Sequence, residues 1–214
     1  KLFYVANANA GTGQVMIYGM GKYTGYKLTP FKIKTQSFQN ITVNSISTPT
    51  YTGKAVSPAL GITYKGMTLK KNIDYTITTA NSIEAGTGKA TVKIIGKRNF
   101  DGSVITKTFS IKKGTQTITT PSTKYSKAFA SAPFAISCGT NGMAKLSYSS
   151  SNTSVATISS IGTVTVHGVG TATITVKAAE TSNYNSATKT LAVNVVKGTE
   201  KITKVQTVRI LKVL

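Results

Sequence analysis

Apolar residues in this chain recur at every second position. Val92 and Ile94 alternate with Thr91 and Lys93, and Ala172, Ile174 and Val176 alternate with Thr171, Thr173 and Thr175. Leu191, Val193 and Val195 repeat the pattern, as do Val164 and Val166. A period of two sends successive side chains to opposite faces of a strand, one toward a core and one toward water. Clusters of Gly, Asn and Ser separate these runs at intervals of about ten residues, the spacing of strands in a β-sandwich. No segment keeps a helical period over a convincing length. The end of the chain reads two ways: Val208, Ile210 and Leu214 suit a strand, whereas Ile202, Val205 and Val208 suit a helix.

The runs fall into similar blocks. Residues 10–13 and 85–88 both read Ala-Gly-Thr-Gly. The first copy is followed by Tyr23-Thr24-Gly25 and Phe31-Lys32-Ile33-Lys34, the second by Phe100-Asp101-Gly102 and Phe109-Ser110-Ile111-Lys112. These landmarks recur 75 (Ala10 to Ala85) to 78 (Phe31 to Phe109) residues apart, one small sandwich per period. A more distant third copy runs from Gly170 to Val176, through Asn183-Tyr184-Asn185 and Thr188-Lys189-Thr190, to Leu191-Ala192-Val193-Asn194-Val195. The partition expected is 1–36, the C-terminal half of a repeat; 37–113, a complete repeat; 114–197, a third domain; and 198–214, a linker or the start of a further domain. Lys1-Leu2-Phe3-Tyr4-Val5 reads as mid-domain sequence, so the chain is expected to be a fragment. Lys112-Lys113-Gly114-Thr115 and Lys197-Gly198-Thr199 read as short linkers, which predicts an elongated rod.

Composition supports an all-β class: Trp is absent, and 19 Gly with 5 Pro punctuate β-branched and hydroxylated residues. Charge adds something new. Against 26 Lys and Arg stand 5 acids, Asp74, Glu84, Asp101, Glu180 and Glu200, for a net +21, and the first acid is Asp74. Such a field attracts polyanions such as anionic polysaccharide or cell-wall polymer. Dispersed lysines also serve simply to solubilise strands and guard their edges. Cys138 is the single cysteine, so no disulfide forms within the chain and a disulfide-stapled mini-fold is excluded. Its role is not legible in the sequence. No stretch approaches the roughly 18 apolar residues of a membrane span, and no secretory leader pattern opens the chain.

Two stretches resemble known groups. Tyr51-Thr52-Gly53-Lys54-Ala55-Val56-Ser57-Pro58, Leu69-Lys70-Lys71-Asn72-Ile73-Asp74-Tyr75-Thr76, Ala85-Gly86-Thr87-Gly88 and Asn99-Phe100-Asp101-Gly102 resemble immunoglobulin-like repeats of surface proteins from Clostridia and related Firmicutes. The run from Leu146 to Ile158, with Gly162-Thr163-Val164-Thr165-Val166, is similar to the bacterial immunoglobulin-like group 2 domain, found also in intimin-type adhesins and phage structural proteins. The resemblance implies tandem immunoglobulin-like β-sandwich domains acting as spacers, adhesive modules or wall-associated modules. It transfers no site residue. Some surface domains of this kind form Lys-Asn isopeptide bonds beside a buried acid; Asp74 or Glu84 would be that acid here, and an intact mass short by one ammonia would reveal the bond.

Catalysis is not expected. A glycosidase needs two carboxyl groups across a cleft, yet Asp74, Glu84 and Asp101 each sit beside a turn signal; Asp74 is expected to bond the local backbone and Asp101-Gly102 to form a turn. His167, the only imidazole, lies out of phase with Val164 and Val166 and is expected in solvent at a strand end, with only Glu180 as an acid in its domain. No metal cluster, cofactor or catalytic residue is predicted, although a lone carboxylate suits a weak surface calcium. Ala-Gly-Thr-Gly is read as a tight turn in which glycine supplies positive φ, not as a phosphate loop, because a strand pattern follows it. Tyr23, Phe100 and Tyr184 are read as aromatics packed at the sandwich corners.

The function expected is an extracellular, cell-surface stalk or adhesive module, with anionic glycan or wall polymer as a partner, or with self-association into a filament or lattice. The alternative is a bacteriophage virion decoration or fibre. Nucleic acid is not an expected partner: arginine occurs only at Arg98 and Arg209, and no nucleic-acid-binding signature appears.

Overall fold

A computed structural model describes residues 1–6 and 8–199. The strand-or-helix reading of Lys201–Leu214 lies outside the described residues. Two compact units are present, the first Lys1–Gly114 and the second beginning at Thr115. Among the described residues regular structure is β, apart from one 3-10 turn at Phe38–Asn40.

The first unit holds three sheets of three strands. Strands β1 (Leu2–Val5), β2 (Gly11–Tyr18) and β3 (Tyr26–Ile33) form an antiparallel sheet in chain order. Strands β4 (Thr42–Ile46), β5 (Leu60–Tyr64) and β6 (Met67–Thr68) form a second, and β7 (Tyr75–Ala80), β8 (Gly86–Gly96) and β9 (Val104–Ile111) a third. The second and third sheets share a core of Ile62 and Tyr64 with Tyr75, Ala90, Val92, Ile94, Phe109 and Ile111. Phe38 and Phe100 close this core from the connections: their rings meet edge to face at 5.4 Å, and Phe100 meets Tyr64 likewise at 5.2 Å. The alternation read from Thr91 to Ile94 is the alternation of this core, since Val92 and Ile94 are both 0% exposed while Lys93 faces water. Burial of each such side chain contributes about 1.5–3 kcal/mol.

The second unit is built the same way. It contains β10 (Ile118–Thr119), β11 (Lys124–Ala128), β12 (Phe134–Ala135), β13 (Gly139–Thr140), β14 (Leu146–Ser150), β15 (Ala156–Ile158), β16 (Thr163–Val166), β17 (Gly170–Ala178) and β18 (Ala187–Val196). One sheet has the order β11-β18-β17-β14 and another β12-β16-β15, with β10 and β13 paired separately. Strand β11 runs parallel to β18, from Lys124 opposite Ala192 to Ala128 opposite Val196. Every apolar position read as inward on β17 and β18 is buried, from Ala172 through Val195.

Two local readings are corrected. Ala-Gly-Thr-Gly is not a tight turn: Gly11 and Gly86 each open a strand. In the first copy the ladder runs without a break, with Gly11 opposite Ile33 and Gly13 opposite Phe31. In the second, Gly86 faces Ile111 but Ala90 rather than Gly88 faces Phe109, so two extra residues are looped out as a bulge, with Gly88 at φ 64. That bulge accounts for part of the drift in landmark spacing. The second correction concerns Tyr23, which is 78% exposed and packs no corner. It lies within the turn closed by the bond from Gly19 N to Gly25 O, where residues 21–25 are all exposed. Phe100 is buried and Tyr184 half-buried at the corresponding places.

Candidate functional site

The carboxylates serve the backbone. Asp74 Oδ2 accepts a bond from Lys70 N at 2.8 Å, which closes the turn leading into β7. Asp101 reaches further: its Oδ1 accepts from Phe38 N at 2.9 Å and from Ser103 N at 3.3 Å. These hydrogen bonds, the one from Phe38 first, hold the Asp101 carboxyl below the ordinary carboxylate range. The sequence shows Asp101-Gly102 as a turn but gives no sign of the partner 63 residues earlier. Glu84 is exposed on the β7–β8 connection, where it joins Ala80, Ser82, Ile83 and Lys89 in lining an open cavity of about 800 Å³. Asp74 lines a different cavity of about 340 Å³ with Gln36, Tyr64 and Phe100. A general acid and base facing each other across one cleft are therefore not assembled from this pair.

His167 is exposed just beyond β16, and its Nε2 lies 2.8 Å from Thr157 Oγ1 on the neighbouring strand β15. Cys138 is half-buried against the core of the second unit. There the thiol acts as a small apolar filler beside Tyr148, whose phenol is pushed up by burial and then by the neighbouring Cys138. Among the described residues no three His, Cys, Asp or Glu side chains gather to hold a metal. Nor does any buried side-chain nitrogen or oxygen among them lack a hydrogen-bond partner.

One polar residue that sequence reasoning missed organises the second unit. Gln116 is 4% exposed. Its Nε2 donates to Ala179 O at 3.0 Å and to Asn185 O at 3.1 Å, and its Oε1 accepts from Thr140 Oγ1 at 2.9 Å. The side chain joins the loop after β17 to the strand β13. A lone Gln before a short strand carries no pattern that announces this.

Lysine is the chemistry that remains on the surface. Every described lysine is exposed except Lys113, Lys127 and Lys189, which are half-buried. Several stand on edge strands: Lys27 and Lys32 on β3, Lys107 on β9, and Lys124 and Lys127 on β11. A charge there obstructs pairing with another sheet. Others lie over rings or cap carbonyls, with Lys127 Nζ 4.6 Å from the Phe134 centroid and Lys189 Nζ donating to Ile118 O at 3.2 Å. The cations cover the molecule rather than converge on one cleft.

Residues 137–180 match the family described as "Intimin, immunoglobulin-like domain". Among solved structures, domains 4 and 5 of the S-layer protein SbsC are 22% identical, with 73% of this chain and 99% of that one covered and a TM-score of 0.33. Domains 1–6 of SbsC are 20% identical over 94% of this chain and 35% of that one, at a TM-score of 0.36. Drosophila N-cadherin EC1-3 is 10% identical over 91% and 79%, at 0.33. No curated protein sequence matches.

Proposed function

We propose that this chain is a surface-exposed structural module of the adhesion type, a stalk built from immunoglobulin-like sandwiches, and not an enzyme. The observation that carries the reading is the match of residues 137–180 to the intimin immunoglobulin-like domain, which falls on β13 to β17 and so on much of the core of the second unit. The side-chain chemistry is in keeping with it, since Asp74, Asp101 and His167 are engaged in bonds that fix turns and strand ends. In such a module function resides in folded length and stiffness rather than in a reacting group. Labelling intact cells of the source organism with antibody to this chain tests it. Signal on unpermeabilised cells, removed by external protease, is the expected result; antigen found only after lysis overturns the reading.

The charge supports a second property of the same module, adhesion to anionic polysaccharide or cell-wall polymer. A surface at +21, with nearly all described lysines in water, draws polyanions by counterion release, and affinity then falls steeply with salt. Binding to immobilised heparin or purified teichoic acid is expected to weaken by a large factor between low and physiological salt. A salt-independent response, or none at low salt, removes this property and leaves the stalk untouched.

A further inference from the structure

The sheet β1–β3 copies the sheet β7–β9 pair for pair, yet its matching face is open to solvent. Leu2 opposite Ile17 repeats Ile77 opposite Ile94; Val15 opposite Thr29 repeats Val92 opposite Lys107; Gly13 opposite Phe31 repeats Ala90 opposite Phe109. In the sheet β7–β9 this face is the core, sealed by Ile62 and Tyr64 of β5. In the sheet β1–β3 the same face carries Leu2, Tyr4, Val15, Ile17, Phe31 and Ile33. The difference in burial is large: Ile94 is 0% exposed and Ile17 44%, while Leu2 and Tyr4 are 57% and 61% exposed. Leu2-Phe3-Tyr4-Val5 and Val15-Met16-Ile17-Tyr18 put apolar side chains on both faces of this sheet, and exposed apolar faces mark interaction surfaces.

The opposite face is apolar as well, with Phe3 and Tyr18 edge to face at 6.1 Å and Tyr18 stacked on Tyr26 at 5.7 Å, so exposure does not choose between the two faces and the register does. Those positions correspond to Thr78, Ile95 and Val104, on the outward face of the complete sandwich.

We propose that the Leu2-Tyr4-Val15-Ile17-Phe31-Ile33 face is a docking surface whose occupant is a three-stranded segment of the β4–β6 kind, seated on it as β4–β6 seat on β7–β9. The occupant is defined by its chemistry: a strand with alternate buried Ile and Tyr at the places of Ile62 and Tyr64, and a Phe at the place of Phe38 to close the end. Lys27, which stands where the complete sandwich has Ile105, lies on this face whatever occupies it; two such faces brought together would confine two of these cations, the proposed occupant only one, so a second copy is the poorer match.

The test supplies the occupant in register and does not depend on the surface function proposed above. Residues 37–75 are repeated ahead of Lys1 in the full chain, so that Lys1 follows Tyr75 as Thr76 does in the complete sandwich. The readouts are fluorescence of an apolar-surface dye and hydrogen exchange of the β1 and β2 amides. Expected are loss of most of the dye signal and new protection across Leu2–Val5 and Gly11–Tyr18. Both gains are expected to vanish when Ile62→Asp is placed in the added segment or Ile17→Lys in the sheet. Unchanged dye binding and exchange in the extended chain overturn the proposal. So does a dimer of the unextended chain that Ile17→Lys dissolves while the extension has no effect, since the occupant is then a second copy.

Discussion

Asp101 and Gln116 each do with one side chain what a longer network does elsewhere. Asp101 ties the turn at Phe38 to the loop before β9 through Phe38 N and Ser103 N. Because its carboxyl is held below the ordinary range, ionised Asp101 favours the folded state; that contribution is complete above the carboxyl's unfolded value and is lost as pH falls through the lower folded one. Denaturant melts of the chain and of Asp101→Asn are therefore expected to differ near neutrality and to converge in acid, with the variant the less stable at pH 7; a constant gap at all pH values would show that the charge is irrelevant. Gln116→Leu has no such pH signature. It strips partners from two carbonyls and a hydroxyl in a buried place, and is expected to cost about 2–3 kcal/mol in chemical unfolding of the second unit. Neither role was legible from sequence, because both side chains act on residues about 60 or more positions away, or on a separate strand, and local pattern records only near neighbours.

At the scale of the element, alternation was the reliable signal. It located β8, β17 and β18 and named their buried residues, because a strand with one wet face has no other way to sort its side chains. It did not say whether a given face is covered. Val15 and Ile17 hold the same register as Val92 and Ile94, although Met16 and Tyr18 blur the alternation, and they are left partly in water where Val92 and Ile94 are covered by β5. Ile94→Ala is accordingly expected to destabilise the first unit by about 2–4 kcal/mol, through lost transfer energy and the cavity left behind. Ile17→Ala at the paired position is expected to cost well under half as much; equal losses would mean that the sheet β1–β3 is already covered. The glycine motif misled for a related reason. Its residues are those of a turn, but in the second copy they are absorbed into a bulge inside a ladder. Gly96 shows glycine in its other use: a Cβ there would stand 2.5 Å from Asp101 O and 2.7 Å from the Phe38 ring, so Gly96→Ala is expected to lower the melting temperature although its φ is ordinary.

At the scale of the molecule, each unit owns its core: one buried cluster draws on residues from Phe38 to Ile111, the other on residues from Ile118 to Val195. Residues 115–199 produced alone are expected to fold, with a β-type circular dichroism spectrum and one cooperative melt; a disordered product would show that this core is insufficient. The parallel pairing of β11 with β18 bears on how such a unit carries load. The two strands lie at the beginning and end of the sandwich and point the same way, so a pull on the chain at Lys124 and at Val196 drags them past each other along their length. The ladder bonds then resist in shear, all together, instead of parting one at a time as in an antiparallel pair drawn open from its end. A load applied along the chain through these two strands would therefore meet the ladder in shear.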